Sequence, residues 1–188
     1  NTNDATNGIV PYRVQWSALS NDASWPIPST QLAFATQAGA QTLYEDYGAV
    51  QTIGDGEAFG LIFQQTGIVR ATYIGGDAVF DFQTFEKRRG ALGPDAVARV
   101  GAKYYFMAAD GFCVTDGSQV QSLGVSKFDK WFFANAKTSA LTTVKVVADV
   151  PAKCIYVMFQ SATGTGFDTF MVYNYENDRC TYGLQNAE

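Results

Sequence analysis

The sequence predicts an all-β chain of repeated four-stranded antiparallel meanders. Three observations predict it: a composition rich in turn-forming and aromatic residues, hairpin signals between short apolar runs, and the return of those runs at a nearly constant spacing. The 188 residues include 18 glycines and 14% aromatics but only 16% charged residues. Such a balance suits tight turns between packed strands, and neither a helical bundle nor a disordered tail. The length suffices for one domain with its own core.

The hairpins come first. Leu61-Ile62-Phe63-Gln64-Gln65 reads as a strand, Thr66-Gly67 as a two-residue turn and residues 68–73 as the return strand. Gly75-Gly76 makes the next turn, and residues 79–82 a further strand. Residues 104–109, Asp110-Gly111, residues 112–115 and Asp116-Gly117 repeat the pattern. Asp-Gly between apolar runs signals a type I′ hairpin, because both central residues of that turn need φ > 0.

The repeat follows from the same runs. Ala102-Lys103-Tyr104-Tyr105-Phe106-Met107 matches Ala152-Lys153-Cys154-Ile155-Tyr156-Val157 at a distance of 50 residues, and residues 56–63 lie about 45 before the first copy. A short apolar stretch precedes each: 50–53, 97–100 and 144–147. A period of about 44 to 50 residues with four strands per unit predicts β-propeller blades. The units fall at about 8–47, 48–92, 93–140 and 141–188 of a single propeller-like domain. Residues 61–63, 104–106 and 155–157 are then expected on equivalent strands. The innermost strands should carry the near-continuous apolar runs. Outer strands should alternate, as Val14, Trp16 and Ala18 do against Arg13, Gln15 and Ser17. Phe128, Trp131, Phe132 and Asn135 stand at i, i+3, i+4 and i+7, which predicts a short helix over 127–136. Its aromatic stripe reads as local core at a sheet edge in preference to a partner contact. Residues 31–47 read as a long connection between blades.

Charge and chemistry exclude several functions. The net charge is −5, and Lys87-Arg88-Arg89 is the lone basic cluster. Sequence-specific nucleic-acid binding is therefore not expected, and the triplet reads as a solvated turn. No apolar run approaches the roughly 20 residues of a membrane helix. Asn1-Thr2-Asn3-Asp4 lacks the regions of a signal peptide, and the numbering is expected to begin inside a longer chain. Cys113, Cys154 and Cys180 include no C-x-x-C pair and fit neither a disulfide framework nor a four-thiolate zinc site. A reducing compartment such as a cytosol is the simpler setting. The chain contains no histidine. Ser-His and Cys-His dyads and HExxH zinc sites are excluded within it.

Two weaker motifs remain. Residues 54–60 resemble a phosphate-binding glycine loop, but Phe59 stands where its third glycine belongs and a strand follows where a helix is required. Asp55, Glu57, Asp110 and Asp116 are the carboxylates available for glycosidic chemistry. Each sits beside a glycine, where an acidic side chain turned onto nearby backbone N–H groups is the expected role. No calcium-loop pattern is present. Trp16, Trp25 and Trp131 read as core residues in preference to sugar-stacking platforms. No catalytic, cofactor-binding or metal-binding residue is assigned, no cofactor is expected, and the chain is not expected to be an enzyme.

Val10-Pro11-Tyr12-Arg13-Val14-Gln15-Trp16-Ser17-Ala18-Leu19, followed by Trp25-Pro26, resembles a segment of propeller-bearing tail proteins of tailed bacteriophages. There a strand ends in a Trp-Ser pair and a polar loop closes on a second Trp. Gly60-Leu61-Ile62-Phe63-Gln64 with Ile68-Val69-Arg70 is similar to a strand pair of the same proteins, and residues 101–117 to the next blade. The resemblance spans most of residues 8–125. It implies a structural virion protein of the tail, in a nozzle, hub or distal connector, assembled in the host cytoplasm. Its implied partners are copies of itself in a ring around the DNA exit channel, and adjacent tail proteins. An acidic surface would let DNA pass without sticking. About three and a half units do not close a ring, so an incomplete propeller is expected, completed by flanking blades or another segment. The alternative is a carbohydrate-binding or carbohydrate-cleaving propeller used in host attachment.

Overall fold

Short apolar runs separated by turn residues form the β-strands that make up about half of the chain. The structure is a computed structural model and describes residues 2–4, 8–56 and 58–184. β1 (Thr2–Asp4) pairs with β2 (Gly8–Val10), and β3 (Arg13–Trp16) pairs with β4 (Gly39–Thr42). Between β3 and β4 lies α1 (Gln31–Thr36), opened by the Thr30 hydroxyl accepting from the Ala33 N–H at 3.2 Å and closed by Gln37 at φ 56°. That cap satisfies an N–H the first turn would otherwise leave unpaired.

Three four-stranded antiparallel sheets follow in chain order, each an unbroken meander. Sheet 1 holds β5 (Val50–Gly54), β6 (Phe59–Gln64), β7 (Ile68–Gly75) and β8 (Val79–Glu86). Sheet 2 holds β9 (Val97–Val100), β10 (Lys103–Ala108), β11 (Gly111–Thr115) and β12 (Val120–Ser122). After α2 (Asp129–Asn135), sheet 3 holds β13 (Lys145–Asp149), β14 (Cys154–Phe159), β15 (Thr169–Asn174) and β16 (Arg179–Leu184).

The sheets stack face to face. Side chains alternate along a strand, so each sheet has a front face toward the preceding layer and a rear face toward the next. Ile62 and Val69 on the front of sheet 1 pack with Val14 and Leu43 of the β3–β4 layer. Leu61 and Phe63 on its rear meet sheet 2, with Phe63 5.2 Å from Phe106 and 6.0 Å from Tyr104 between ring centroids. On the rear of sheet 2, Tyr105 and Phe112 lie 6.2 and 5.6 Å from Tyr173 of sheet 3. Leu61, Phe63, Phe106 and Phe112 are fully buried. Each such side chain contributes about 1.5–3 kcal/mol by leaving water.

First strands lie beside one another, β5 with β9 and β9 with β13. At these seams the Val146 N–H donates to the Asp95 carbonyl at 2.8 Å, and Lys145 pairs with Asp95 at 3.2 Å. The linker from sheet 1 to sheet 2 is equally tight. A Cβ on Gly90 would lie 1.9 Å from the Gln64 carbonyl oxygen, and one on Gly93 would lie 2.0 Å from that of Thr142. No side chain fits at either position.

The three apolar runs of the sequence do occupy equivalent strands: β6, β10 and β14 are each second in their meander. Several details differ from expectation. The near-continuous runs fall on these second strands, covered on both faces in β6 and β10, and not on the first strands that line up side by side. The N-terminal unit is two-stranded, because residues 31–36 form α1 and only Gly39–Thr42 returns to pair with β3. Apart from these differences, the described sheets form no closed ring.

The turns differ as well. Ala108 pairs with Gly111, so the tight turn is Ala109-Asp110 and neither of its residues has positive φ. The glycine's freedom is used one residue later, where Gly111 at φ 142° passes the Asp129 carboxylate. Phe63 pairs with Ile68, which makes the first hairpin loop four residues, 64–67.

The match of residues 102–107 with 152–157 is one residue out of register. Val100 pairs with Lys103 across a two-residue turn, whereas Asp149 pairs with Cys154 across four, so Lys103 corresponds to Cys154. A slip of one residue exchanges the two faces of a strand.

Candidate functional site

The acidic residues singled out by the sequence cluster in part. A cleft of about 360 Å³ opens between sheets 1 and 2, lined by Phe59, Arg99, Tyr104 and Asp116 among others. Asp55 reaches its rim, where its carboxylate pairs with Arg99 at 3.0 Å and its carbonyl accepts from the Tyr104 hydroxyl. The β9–β10 turn positions Arg99, whose Nε donates to the Gly101 carbonyl at 2.7 Å while the guanidinium lies 5.7 Å over the Tyr104 ring. Burial raises the Tyr104 hydroxyl pKa, with Arg99 opposing and Asp55 adding to the shift.

The chemistry of this cleft is that of turn and seam. Asp116 accepts from the Ser118 N–H at 2.9 Å and hydroxyl at 2.6 Å, and these bonds lower its pKa. A glycosidase acid needs the opposite shift. Asp110 lies elsewhere, paired with Arg89 at 2.7 Å. Glu57 lies outside the described residues. The basic triplet is divided: Arg89 holds Asp110, while the backbone N–H groups of Lys87 and Arg88 donate to Glu86 at 2.9 and 2.8 Å.

The carboxyl raised by burial is Asp129 at the start of α2, which sequence reasoning missed. One oxygen accepts from the Phe112 N–H at 3.0 Å, and the other is buried without a partner. Gly111 and Gly124 crowd the carboxylate so closely that a Cβ on either would come within 2.2 Å of it. This group ties α2 to β11 from the inside and has no open approach. Glycines at both 111 and 124 are the sequence signal that something occupies the space beside them.

The expected helix forms as α2. Phe132 meets Phe159 at 4.8 Å and Trp131 stacks on Tyr182 at 4.3 Å, so its stripe covers the front of sheet 3. Trp16 packs 5.2 Å from Phe80, whereas Trp25 is exposed. A second groove of about 300 Å³ runs past Trp16, Phe34, Gln37, Asp77 and Phe80. All three cysteines are free. Among the described residues no group of acidic, cysteine or histidine side chains has the makings of a metal site, and no helix is long and apolar enough to cross a membrane.

No protein-family model matches the chain, and comparison with curated proteins gives no significant match.

Proposed function

We propose that this chain is a structural protein of a bacteriophage tail, in a nozzle, hub or distal connector. Its sheets serve as propeller-type blades in a ring of copies and adjacent tail proteins around the DNA exit channel. The observation that carries this reading is the serial stack of three four-stranded meanders in chain order, with first strands side by side and each inner face fitted to the next sheet. The sequence resemblance over residues 8–125 supplies the tail context. Carboxylates committed to turns and seams suit a scaffold, and a net charge of −5 suits a passage for DNA.

Antibody against the chain, applied to purified tailed particles with a gold label, tests the reading. Label on the tail supports it, and particles that carry none of the chain overturn it. The alternative, glycan binding for host attachment, has one observation in its favour: the groove beside Trp16 offers the exposed ring of Phe34 with Gln37 and Asp77 nearby. A glycan array on which the chain binds, and Phe34→Ala does not, would decide for it.

A further inference from the structure

The groove beside Trp16 lies between the N-terminal unit and the last strand of sheet 1, and its volume of about 300 Å³ is at the lower end of small-molecule sites. Trp16 and Phe80, 5.2 Å apart, are half-buried in its wall, while the Phe34 ring is 61% exposed. Gln37 is fixed from two sides. The Trp16 indole N–H donates to its carbonyl at 3.0 Å, and the Tyr73 hydroxyl donates to its side-chain oxygen at 3.0 Å. The N–H groups of the Gln37 amide are left over. Asp77 likewise has no hydrogen bond or ion pair among the described residues.

The backbone around the groove is strained. Ser29, Gln37 and Val79 line it, and they are three of the seven described non-glycine residues with positive φ, at 67°, 56° and 59°. At Val79 the Phe80 N–H donates to the Ala78 carbonyl at 2.6 Å, which closes a three-residue turn around a β-branched side chain. Such conformations are costly and collect at ligand clamps. Here they bring Asp77 and Phe80 of sheet 1 to the same groove as Phe34 and Gln37 of the N-terminal unit.

We infer that this groove binds a neutral saccharide. A sugar ring lies against the aromatic side chains, its hydroxyls donating to Asp77 and accepting from the Gln37 amide. The negative face of an aromatic ring suits the C–H groups of a sugar. Asp77 only accepts and the free end of Gln37 only donates, and hydroxyl groups satisfy both. No lysine or arginine lines the groove, so a phosphate or an acidic sugar would meet Asp77 unopposed. A purely apolar ligand would bury Gln37 and Asp77 without partners. The inference deepens the second reading above and rests on it for the class of ligand.

Two-dimensional NMR of the full chain tests the inference, by titration with the methyl pyranosides of glucose, galactose, mannose, rhamnose and N-acetylglucosamine. At least one should shift the Gln37 side-chain amide and the Trp16 indole resonances together, saturating in the millimolar range. Methyl glucuronide and N-acetylneuraminic acid should bind more weakly. Asp77→Ala removes a charged acceptor and should weaken binding about tenfold or more. Phe34→Ala should weaken it by removing the exposed ring. Gln37→Asn keeps a residue that tolerates positive φ but withdraws the amide, and should also weaken binding. Resonances remote from the groove should stay in place in all three variants, which shows that each is folded.

Groove resonances that move with no sugar of the panel would overturn the inference, as would a sugar whose affinity the three folded variants leave unchanged. Tighter binding of the acidic sugars would overturn the neutral assignment and leave glycan attachment standing. A glycan array without binding, beside a sugar that still titrates Gln37, would remove host attachment and leave the site. Tail labelling of particles is unaffected by any of these results and decides the scaffold reading separately.

Discussion

Met107 and Met158 occupy the same register on the rear faces of sheets 2 and 3, each with a phenylalanine across the strand. Met107 is fully buried and Met158 half-exposed. Met107→Ala removes a side chain held between two sheets, and truncations of that kind cost about 2–5 kcal/mol. Met158→Ala removes contacts within its own sheet only. A cross-strand contact contributes about 0.2–1 kcal/mol, so a loss of about 1 kcal/mol or less is expected. Against a domain stability of about 5–15 kcal/mol, the first change shifts the unfolding midpoint strongly and the second slightly. Urea titrations at low micromolar protein would give both losses from midpoint and slope. Equal losses would mean that the rear face of sheet 3 is covered within this chain as that of sheet 2 is, and would refute the reasoning.

Three further outcomes follow from buried groups. Burial raises the Asp129 carboxyl above its usual value of 3.8, so its protonated form favours the fold: the stability it contributes is present below that pH and is lost as pH rises through the folded pKa. Asp129→Asn, which keeps an oxygen for the Phe112 N–H, should therefore gain on the wild type as pH rises from about 3 toward neutrality; a difference independent of pH in paired denaturation curves would contradict the burial argument. Gly90→Ala and Gly93→Ala each force a Cβ into backbone and should destabilise by about 2 kcal/mol or more, while Gly60→Ala, with its nearest neighbour at 3.6 Å, should be close to neutral in the same thermal melts. Desolvation pushes the Cys113 thiol up to about 12, so a maleimide at about pH 8 should leave Cys113 unmodified until the protein is unfolded; native-state labelling at Cys113, read by peptide mass, would count against its burial.

The second strands were legible because their apolar runs are uninterrupted, as in Leu61-Ile62-Phe63 and Tyr104-Tyr105-Phe106-Met107. The aromatic spacing of Phe128, Trp131 and Phe132 likewise marked α2. The register of the repeat was not legible. Two identical Ala-Lys pairs align at 102 and 152, but turn lengths of two and four residues move the second strand along by one. The facing pairs that make sheets 2 and 3 alike therefore appear only once strand pairing is known. β4 was hidden because Gly39-Ala40-Gln41-Thr42 carries no apolar alternation and is held by the backbone of β3 and the ring of Trp16 against Gly39. The cleft was half legible: Asp55 and Asp116 were visible beside their glycines, whereas Arg99 and Tyr104 of sheet 2 meet Asp55 of sheet 1 only through tertiary packing.

A reconstruction of the assembled tail by electron cryomicroscopy tests the whole account most directly. It is predicted to show copies of this chain around the DNA channel, with the three four-stranded sheets of each copy stacked in chain order. A tail in which the chain has no density, or in which it lies away from the channel, would contradict it.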